Sequence, residues 1–465
     1  MAADRPNVVF MLADNLGYGD VGCYGAGESR GMPTPNLDRL AADGVRLNQF
    51  LVEAACTPSR SACLTGRYSI RSGLSLVIAP GGDGGLQSHE YTLGNLFKDA
   101  GYDTAYYGKW HLGESTKTEP QYFGFDQWRF GFYGSSDGTL YGDNMSRYHA
   151  PQALQDSATI YVREAMEPNT PSEEQFVYDL EYRRKIDNDM TDAAVAYIAD
   201  KAETDDPFFL FMGMTRPHFP NLPSEEFDGK SRIGGYGDCV MELDHNLGRV
   251  MDAVKDAGIE GETIVIFVSD NGPTTTATVP DELYLASAGP WRGELGDPWE
   301  GSIRTVGMIK WPGKIEPGTA EGMFSIMDFL PTFASMLELD LPDDRPVDGV
   351  DQVDYLSGEQ PDSNRDRLIT FIGDRLVAVR WNQWRIYPTN YTESDNNPRL
   401  SGYLGQMNEL AGYPMIFNIE ADPREMRATT IENTWVVHPY GQIIAEYKAS
   451  LQEHPNPPAA NLTHF

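Results

Sequence analysis

The sequence predicts an α/β protein built on a mixed, mostly parallel sheet flanked by helices. Three uninterrupted apolar runs, Asn7–Ala13, Pro207–Met214 and Thr263–Ser269, have the length and composition of strands buried on both faces of a sheet. Segments with helical spacing lie between them. Each run delivers polar residues at its carboxyl end: Asp14-Asn15, Thr215-Arg216-Pro217-His218 and Asp270-Asn271. In open α/β sheets that is where ligands collect.

Composition narrows the function. At 465 residues the chain exceeds the usual size of a single core, so two domains are expected. A formal charge of −33 argues against nucleic acid or any extended polyanion as partner. It does not exclude a small anion, because surface charge is screened over roughly 8 Å at physiological salt. No apolar run is long enough to cross a membrane, so no membrane partner is expected. Four scattered cysteines, Cys23, Cys56, Cys63 and Cys239, make neither a disulfide framework nor a zinc cluster. No leader pattern precedes Pro6, so the expectation is a cytoplasmic protein as the sequence stands, or a periplasmic or secreted one if a leader has been trimmed.

Taken in order, the first strand ends in Asp14 and Asn15, followed by the turn residues Gly17 and Gly19. An oxygen ligand there suits a hard cation such as Ca²⁺, and an aspartate after a strand is also a common turn or cap residue. Thr34–Ala41 reads as a turn into an amphipathic helix ending near Gly44. Cys56-Thr57-Pro58-Ser59-Arg60 then predicts a second helix, with Thr57 as N-cap, Pro58 just inside and Gly66 as the stop. Cys56 would sit beside the positive helix end, where a nucleophile and an anion are both favoured. Arg60, four residues on, shares its face.

Thr92–Ala100 is a short helix closed by Gly101, and Asp103–Tyr107 a strand. Alternation beyond it places Lys109 and His111 on one side of an extended segment, a fixed cation beside a titratable base. Gln121–Tyr148 is rich in aromatics, including Tyr122, Phe123, Phe125, Trp128, Phe130, Phe132, Tyr133 and Tyr141. These rings either hold a sugar or aryl group or pack a long loop onto the core, and the packing role is favoured. Asp187–Ala202 and Gly235–Ala257 are helices, the second carrying Asp244 and His245, with His245 read as structural. His218 stands between two prolines, whose restriction of the backbone suits a proton donor. Asp270-Asn271 mirrors Asp14-Asn15, and two such pairs over one sheet edge would make an oxygen-rich divalent site. Beyond the loop-rich Asp340–Arg365, the pattern turns to antiparallel strands, Leu376–Arg380 and Trp384–Tyr387, with a last helix near Ile443–Gln452.

Several strings together resemble the type I sulfatases: Cys56-Thr57-Pro58-Ser59-Arg60 continuing to Leu64-Thr65-Gly66-Arg67, Gly108-Lys109-Trp110-His111-Leu112-Gly113, and Pro217-His218-Phe219-Pro220. Trp291 to Arg304, Trp311-Pro312-Gly313, Ser325 to Leu339 and Asn418 to Glu425 extend the resemblance over nearly the whole chain. It implies the alkaline-phosphatase-like fold, with a catalytic domain over 1–365 and a smaller C-terminal α+β domain over 366–465. It further implies a sulfatase that hydrolyses a sulfate ester, aryl or carbohydrate, of a small molecule or glycan. In that family the cysteine matching Cys56 is oxidised to formylglycine by a formylglycine-generating enzyme, and the hydrated aldehyde is the nucleophile. Carried over by motif, Asp14, Asn15, Asp270, Asn271 and the modified Cys56 would hold Ca²⁺, with Mg²⁺ or Mn²⁺ as alternatives. Arg60 and Lys109 would hold the sulfate, His218 would protonate the leaving group, and His111 would deprotonate the remaining hydroxyl.

Two positions depart from the family pattern. Asn15 stands where a second aspartate is usual, removing one negative charge from the metal set. Leu295 stands where a lysine is usual, removing one cation near the substrate. These departures keep two other readings open: a phosphonate monoester or phosphodiester hydrolase of the same fold, and a non-catalytic sulfate-ligand binder with Cys56 unmodified. Retention of Arg60, Lys109, His111 and His218 together favours an enzyme. Oligomeric state is not legible in the sequence.

Overall fold

In the computed structural model, residues 5–78, 81, 84–274, 286–392 and 406–458 are described. Eleven strands form the main sheet: β1 (Asn7–Asp14), β2 (Val45–Leu51), β3 (Asp103–Gly108), β4 (Gln127–Gly131), β5 (Tyr161–Ala165), β6 (Glu173–Val177), β7 (Phe208–Pro217), β8 (Thr263–Ser269), β9 (Arg304–Thr305), β10 (Gly307–Lys310) and β11 (Gly318–Ser325). Their spatial order is β11-β2-β10-β8-β1-β7-β3-β4-β5-β6, with β9 pairing β2. The central strands β8, β1, β7, β3 and β4 are mutually parallel.

The three apolar runs are the three central strands. In β1, Val8, Phe10 and Leu12 point into one core while Val9, Met11 and Ala13 point into the other. A period-two backbone with both faces covered needs an apolar residue at every position, hence the unbroken run. Each such side chain, fully withdrawn from water, contributes about 1.5–3 kcal/mol before entropy is counted. On the first face pack helix α2 (Cys56–Thr65), helix α3 (Leu93–Asp99) and the helix Phe329–Met336. On the other lie helix α1 (Pro35–Asp43) and the long helices Ile186–Lys201 and Gly235–Asp256.

The aromatic stretch packs inward: Phe123, Phe125, Trp128 and Phe132 are buried, and Trp128 Nε1 donates to the Gly108 carbonyl at 3.1 Å. His245 is exposed and rests near Phe227, whereas its neighbour Asp244 accepts from the main-chain N–H groups of Asn36 and Leu37 and so caps α1.

Beyond the main sheet, β12 (Arg367–Ile372), β13 (Arg375–Trp381), β14 (Trp384–Tyr387), the hairpin β15 (Thr389–Thr392) and β16 (Gln406–Glu409), and β17 (Met415–Asn418) follow. β12, β13, β14 and β17 make a four-stranded antiparallel sheet. The closing helix spans Val437–Glu453, longer than the Ile443–Gln452 expected, because its first turn packs beside Trp384 and Ile386. Leu368, Ile369, Phe371 and Ile443 join the first-face core, so the small sheet seats directly on the large one. Arg380 from β13 reaches Glu300 and Gln49, and Glu425 accepts from the Glu300 N–H at 3.0 Å. Among the described residues no helix is long and apolar enough to cross a membrane. All four cysteines are free thiols.

Candidate active site

Because the central strands run parallel, their carboxyl ends open on one edge, and α2 starts there too. Asp14 closes β1, Asp270-Asn271 follows β8, Lys109 follows β3, and His218 follows β7. All are buried, and so are Cys56, Arg60 and His111.

The local structure of α2 differs from expectation. Ala55, in extended conformation, is its N-cap, and Cys56 is already its first helical residue. Thr57 does not cap, because its Oγ1 donates to the His111 carbonyl at 2.9 Å. That bond ties the cysteine helix to the lysine–histidine segment. Gly66 ends the helix as expected, in left-handed conformation at φ 65°.

Lys109 and His111 reach one site, but not by strand alternation. β3 ends at Gly108 (φ 89°), and His111 itself is left-handed at φ 58°. The segment therefore departs from the alternation of an extended strand, and these two left-handed residues bring a cation and a neutral base to one site. Gly213, opposite Gly108 in register, permits this approach. A Cβ there would lie 2.4 Å from the Lys109 carbonyl oxygen and 3.2 Å from Arg60 Nη1.

Lys109 Nζ lies 2.7 Å from Asp14 Oδ2, and the Cys56 thiol lies 3.4 Å from Asp14 Oδ1. The thiol is also 3.7 Å from Asn15 Oδ1. Asn15 N donates to Asp270 Oδ1 at 3.1 Å, and Asn271 Nδ2 donates to Asn15 Oδ1 at 2.7 Å. Arg60 donates through Nε to Asp270 Oδ2 at 3.0 Å and through Nη1 to the Lys109 carbonyl at 2.8 Å. The two acid–amide pairs thus meet directly, with one cation on each acid.

The electrostatics follow from burial against these pairings. Burial alone would raise the Asp14 carboxyl, but Lys109, His218 and Arg60 outweigh it and hold it below the usual carboxylate range. At Asp270 burial and the neighbouring Asp14 charge prevail over Arg60, pushing it up to about 6. Burial dominates at Cys56 and drives the thiol well up, so an unmodified Cys56 is held as S–H, a poor nucleophile. Burial, then Lys109 and Arg60, push His111 well down, which keeps it a neutral base.

His218 makes two bonds that define its chemistry. Nδ1 lies 2.6 Å from the Phe219 carbonyl, which only accepts, so Nδ1 carries the hydrogen of the neutral ring. Nε2 is then the nitrogen that takes up and releases a proton, and it lies 3.1 Å from Ser135 Oγ. Ser135 also accepts from Lys109 Nζ at 2.9 Å. It is the site residue that sequence reasoning missed: it lies in the aromatic loop 121–148, where a serine between glycine and serine carries no signal of its own.

The donor set fits a hard divalent cation. Among the described residues Asn271 Oδ1 is buried with no hydrogen-bond partner, an oxygen suited to a cation. Asp14 keeps Oδ1 clear of Lys109, and Asn15 adds a neutral carbonyl. Asp14, Cys56 and His218 offer ligand atoms all within 4.8 Å of one another. Leu295, where a cation was expected, is nearly buried and bonded through its backbone to Pro273, and Gly296 to Ala54, at 2.8 Å each. Its backbone thus ties together the two segments that carry Asn271 and Cys56.

Residues 6–339 match the sequence family described as Sulfatase. Bovine arylsulfatase A (Bos taurus) is 35% identical over 91% of this chain and 83% of its own length. Human steryl-sulfatase (Homo sapiens) is 30% identical over 92% of this chain and 85% of its own. Among solved structures, the PsFucS1 sulfatase from Pseudoalteromonas sp. superposes with a TM-score of 0.89, covering 98% of this chain and 92% of that one at 29% identity.

Proposed function

The chain belongs to the sulfatase family and is a sulfuric ester hydrolase with the alkaline-phosphatase-like fold, and on that premise we propose that it cleaves an aryl or carbohydrate sulfate ester through a formylglycine made from Cys56. The observation that carries this reading is the placement of the Cys56 thiol 3.4 Å from Asp14 Oδ1, at a helix start, in a pocket that also holds Arg60 and Lys109. A thiol held protonated by burial is ill suited to attack an ester itself, which favours its oxidised form. Formylglycine, once hydrated, supplies the hydroxyl nucleophile. Asp14, Asn15, Asp270 and Asn271 are the residues that would hold Ca²⁺, or Mg²⁺ or Mn²⁺, whose charge would draw a sulfate into a buried site.

The chain's own groups divide the remaining work. Arg60 and Lys109 stay protonated, since their carboxylate partners outweigh burial, and they offset charge on the sulfate oxygens. Burial holds His218 below the ordinary histidine range, so Nε2 must first take up a proton; the imidazolium then delivers it to the ester oxygen as the alcohol leaves, with Ser135 Oγ at the ring edge. His111, kept neutral, takes a proton within the site so that sulfate can be expelled. The names of relatives, arylsulfatase A, steryl-sulfatase and N-acetylgalactosamine-6-sulfatase, span aryl, steroid and sugar sulfates, and support the breadth of the proposed class.

The test is peptide mass spectrometry across Cys56 after co-expression with a formylglycine-generating enzyme, followed by assay with added Ca²⁺. Conversion of the thiol to an aldehyde, with turnover of an aryl sulfate exceeding that of an aryl phosphate monoester or diester, is expected. An unconverted thiol in a protein that still turns over sulfate esters would remove the proposed nucleophile.

A further inference from the structure

A buried guanidinium behind the proposed acid has no place in the chemistry above. Arg183 ends the short helix Leu180–Arg183, which Asp179 caps by accepting from Tyr182 N at 2.8 Å. Its side chain is fully buried, yet among the described residues no carboxylate lies within ion-pair distance of it. Its three hydrogen bonds among the described residues go instead to neutral oxygens at the end of β7 and just beyond it: Nη1 to Thr215 Oγ1 at 2.6 Å, Nη2 to the Thr215 carbonyl at 3.1 Å, and Nη2 to the His218 carbonyl at 2.7 Å.

Removing a cation from water without a direct counterion is costly, and such a group persists where its hydrogen bonds are well made. The countercharge is one hydroxyl away. Thr215 Oγ1 passes a hydrogen bond to Asp187 Oδ1 at 2.6 Å, and Asp187 also accepts from the main-chain N–H groups of Thr215 and Arg216. The end of β7 leading into His218 is therefore gripped on both sides, the Thr215 and Arg216 N–H groups by Asp187 and the Thr215 and His218 carbonyls by Arg183. Asn221 Nδ2 adds a third hold at the Pro217 carbonyl, 2.6 Å away.

We propose that Arg183 is a positioning residue for the leaving-group proton: by holding the Thr215 and His218 carbonyls it aims His218 Nε2 at the ester oxygen. The proposal rests on His218 being the proton donor. Without Arg183 the His218 carbonyl is left buried and unpaired, the segment relaxes, and Nε2 shifts from its line with Ser135. Displacements of about 1 Å in a reacting group cost on the order of 10²-fold in rate.

The experiment measures kcat/KM on the formylglycine-bearing enzyme for aryl sulfates of increasing phenol pKa, from para-nitrophenyl to unsubstituted phenyl sulfate. Wild type, Arg183→Met, Arg183→Lys, His218→Ala and the Arg183→Met/His218→Ala pair are compared. A good leaving group needs no proton and a poor one does, so lost acid catalysis steepens the dependence on leaving-group pKa, whereas a loss of folded enzyme lowers every substrate equally. Arg183→Met is expected to lose less than about tenfold on the nitrophenyl ester and about 10²-fold on the phenyl ester. The double variant is expected to be no steeper than His218→Ala. Arg183→Lys, which keeps the buried charge but places its donors on one nitrogen instead of a fork, gives an intermediate slope and covers the case in which Arg183→Met does not fold. A uniform loss across the series in either folded Arg183 variant, with His218→Ala steep, overturns the role of Arg183 alone. A wild-type slope in His218→Ala overturns the assignment of the acid itself, and the proposal with it.

Discussion

Lys109 Nζ sits 2.7 Å from Asp14 Oδ2 with neither side chain exposed, and this pair divides the aspartate into two working halves. One oxygen is spent on neutralising the lysine. The other faces the Cys56 thiol at 3.4 Å. Lys109→Met leaves a buried carboxylate without its partner, so unfolding by denaturant is expected to show a loss of about 3–5 kcal/mol. Adding Asp14→Asn to that variant should restore much of it. A single variant as stable as wild type would show that the pair is not holding the apo-site together.

Cys56→Ala is expected to lower sulfate ester turnover by on the order of 10⁴-fold while leaving the melting temperature within a few degrees of wild type. The side chain is small, and its polar contacts among the described residues are the two long ones to Asp14 and Asn15. Activity assay and circular dichroism on the same sample check both halves. Turnover within tenfold of wild type would eliminate Cys56 as the source of the nucleophile.

Asn15→Asp should be tolerated by the backbone, since its left-handed φ of 68° suits both residues, and it restores a charge to the cation site. Divalent-ion affinity, read by calorimetric titration, is expected to rise about tenfold, some 1.4 kcal/mol. An unchanged affinity would mean that the Asn15 side chain does not face the ion.

Burial pushes the Glu53 carboxyl up to about 8, and among the described residues its Oε2 has no hydrogen-bond partner. The folded state therefore holds a proton that the unfolded chain releases near its ordinary value of 4.5. Between those two values the folded state binds more protons, so stability falls as pH rises from about 4.5 to about 8 and is then level with respect to this group. In Glu53→Gln the fall in stability across this window should be shallower than in wild type, as read from denaturant midpoints, with Asp270 and the other raised carboxyls supplying the remainder. A persistent slope of the same size would place the titration elsewhere.

Much of this protein was legible before any coordinates. The unbroken apolar runs Asn7–Ala13 and Thr263–Ser269 have the length and composition of strands covered on both faces, which puts the residues after them at a strand's carboxyl end. The resemblance to the sulfatases then implied roles for Cys56, Arg60, Lys109, His111 and His218, all of which are buried near the carboxyl ends of the central strands. Local signals failed where a long-range bond outcompeted them. Thr57 has the chemistry of an N-cap, but its hydroxyl is taken by the His111 carbonyl. Lys109 and His111 read as alternating strand residues, but the backbone is left-handed at His111.

What the sequence determined by itself was therefore the set of chemically capable groups and the kind of sheet that presents them. Those follow from residue type and period, which act over a few positions of the chain. What only the tertiary structure decided was which groups face each other. Ser135 meets His218 across 83 positions and Arg60 meets Asp270 across 210, contacts that no local pattern encodes. Arg183, unremarkable in sequence, becomes a buried clamp on the His218 segment only because a helix and a strand end pack together there. Protonation states were likewise set by the fold, since burial and neighbouring charge, not residue identity, hold Asp14 ionised and Cys56 and His111 neutral.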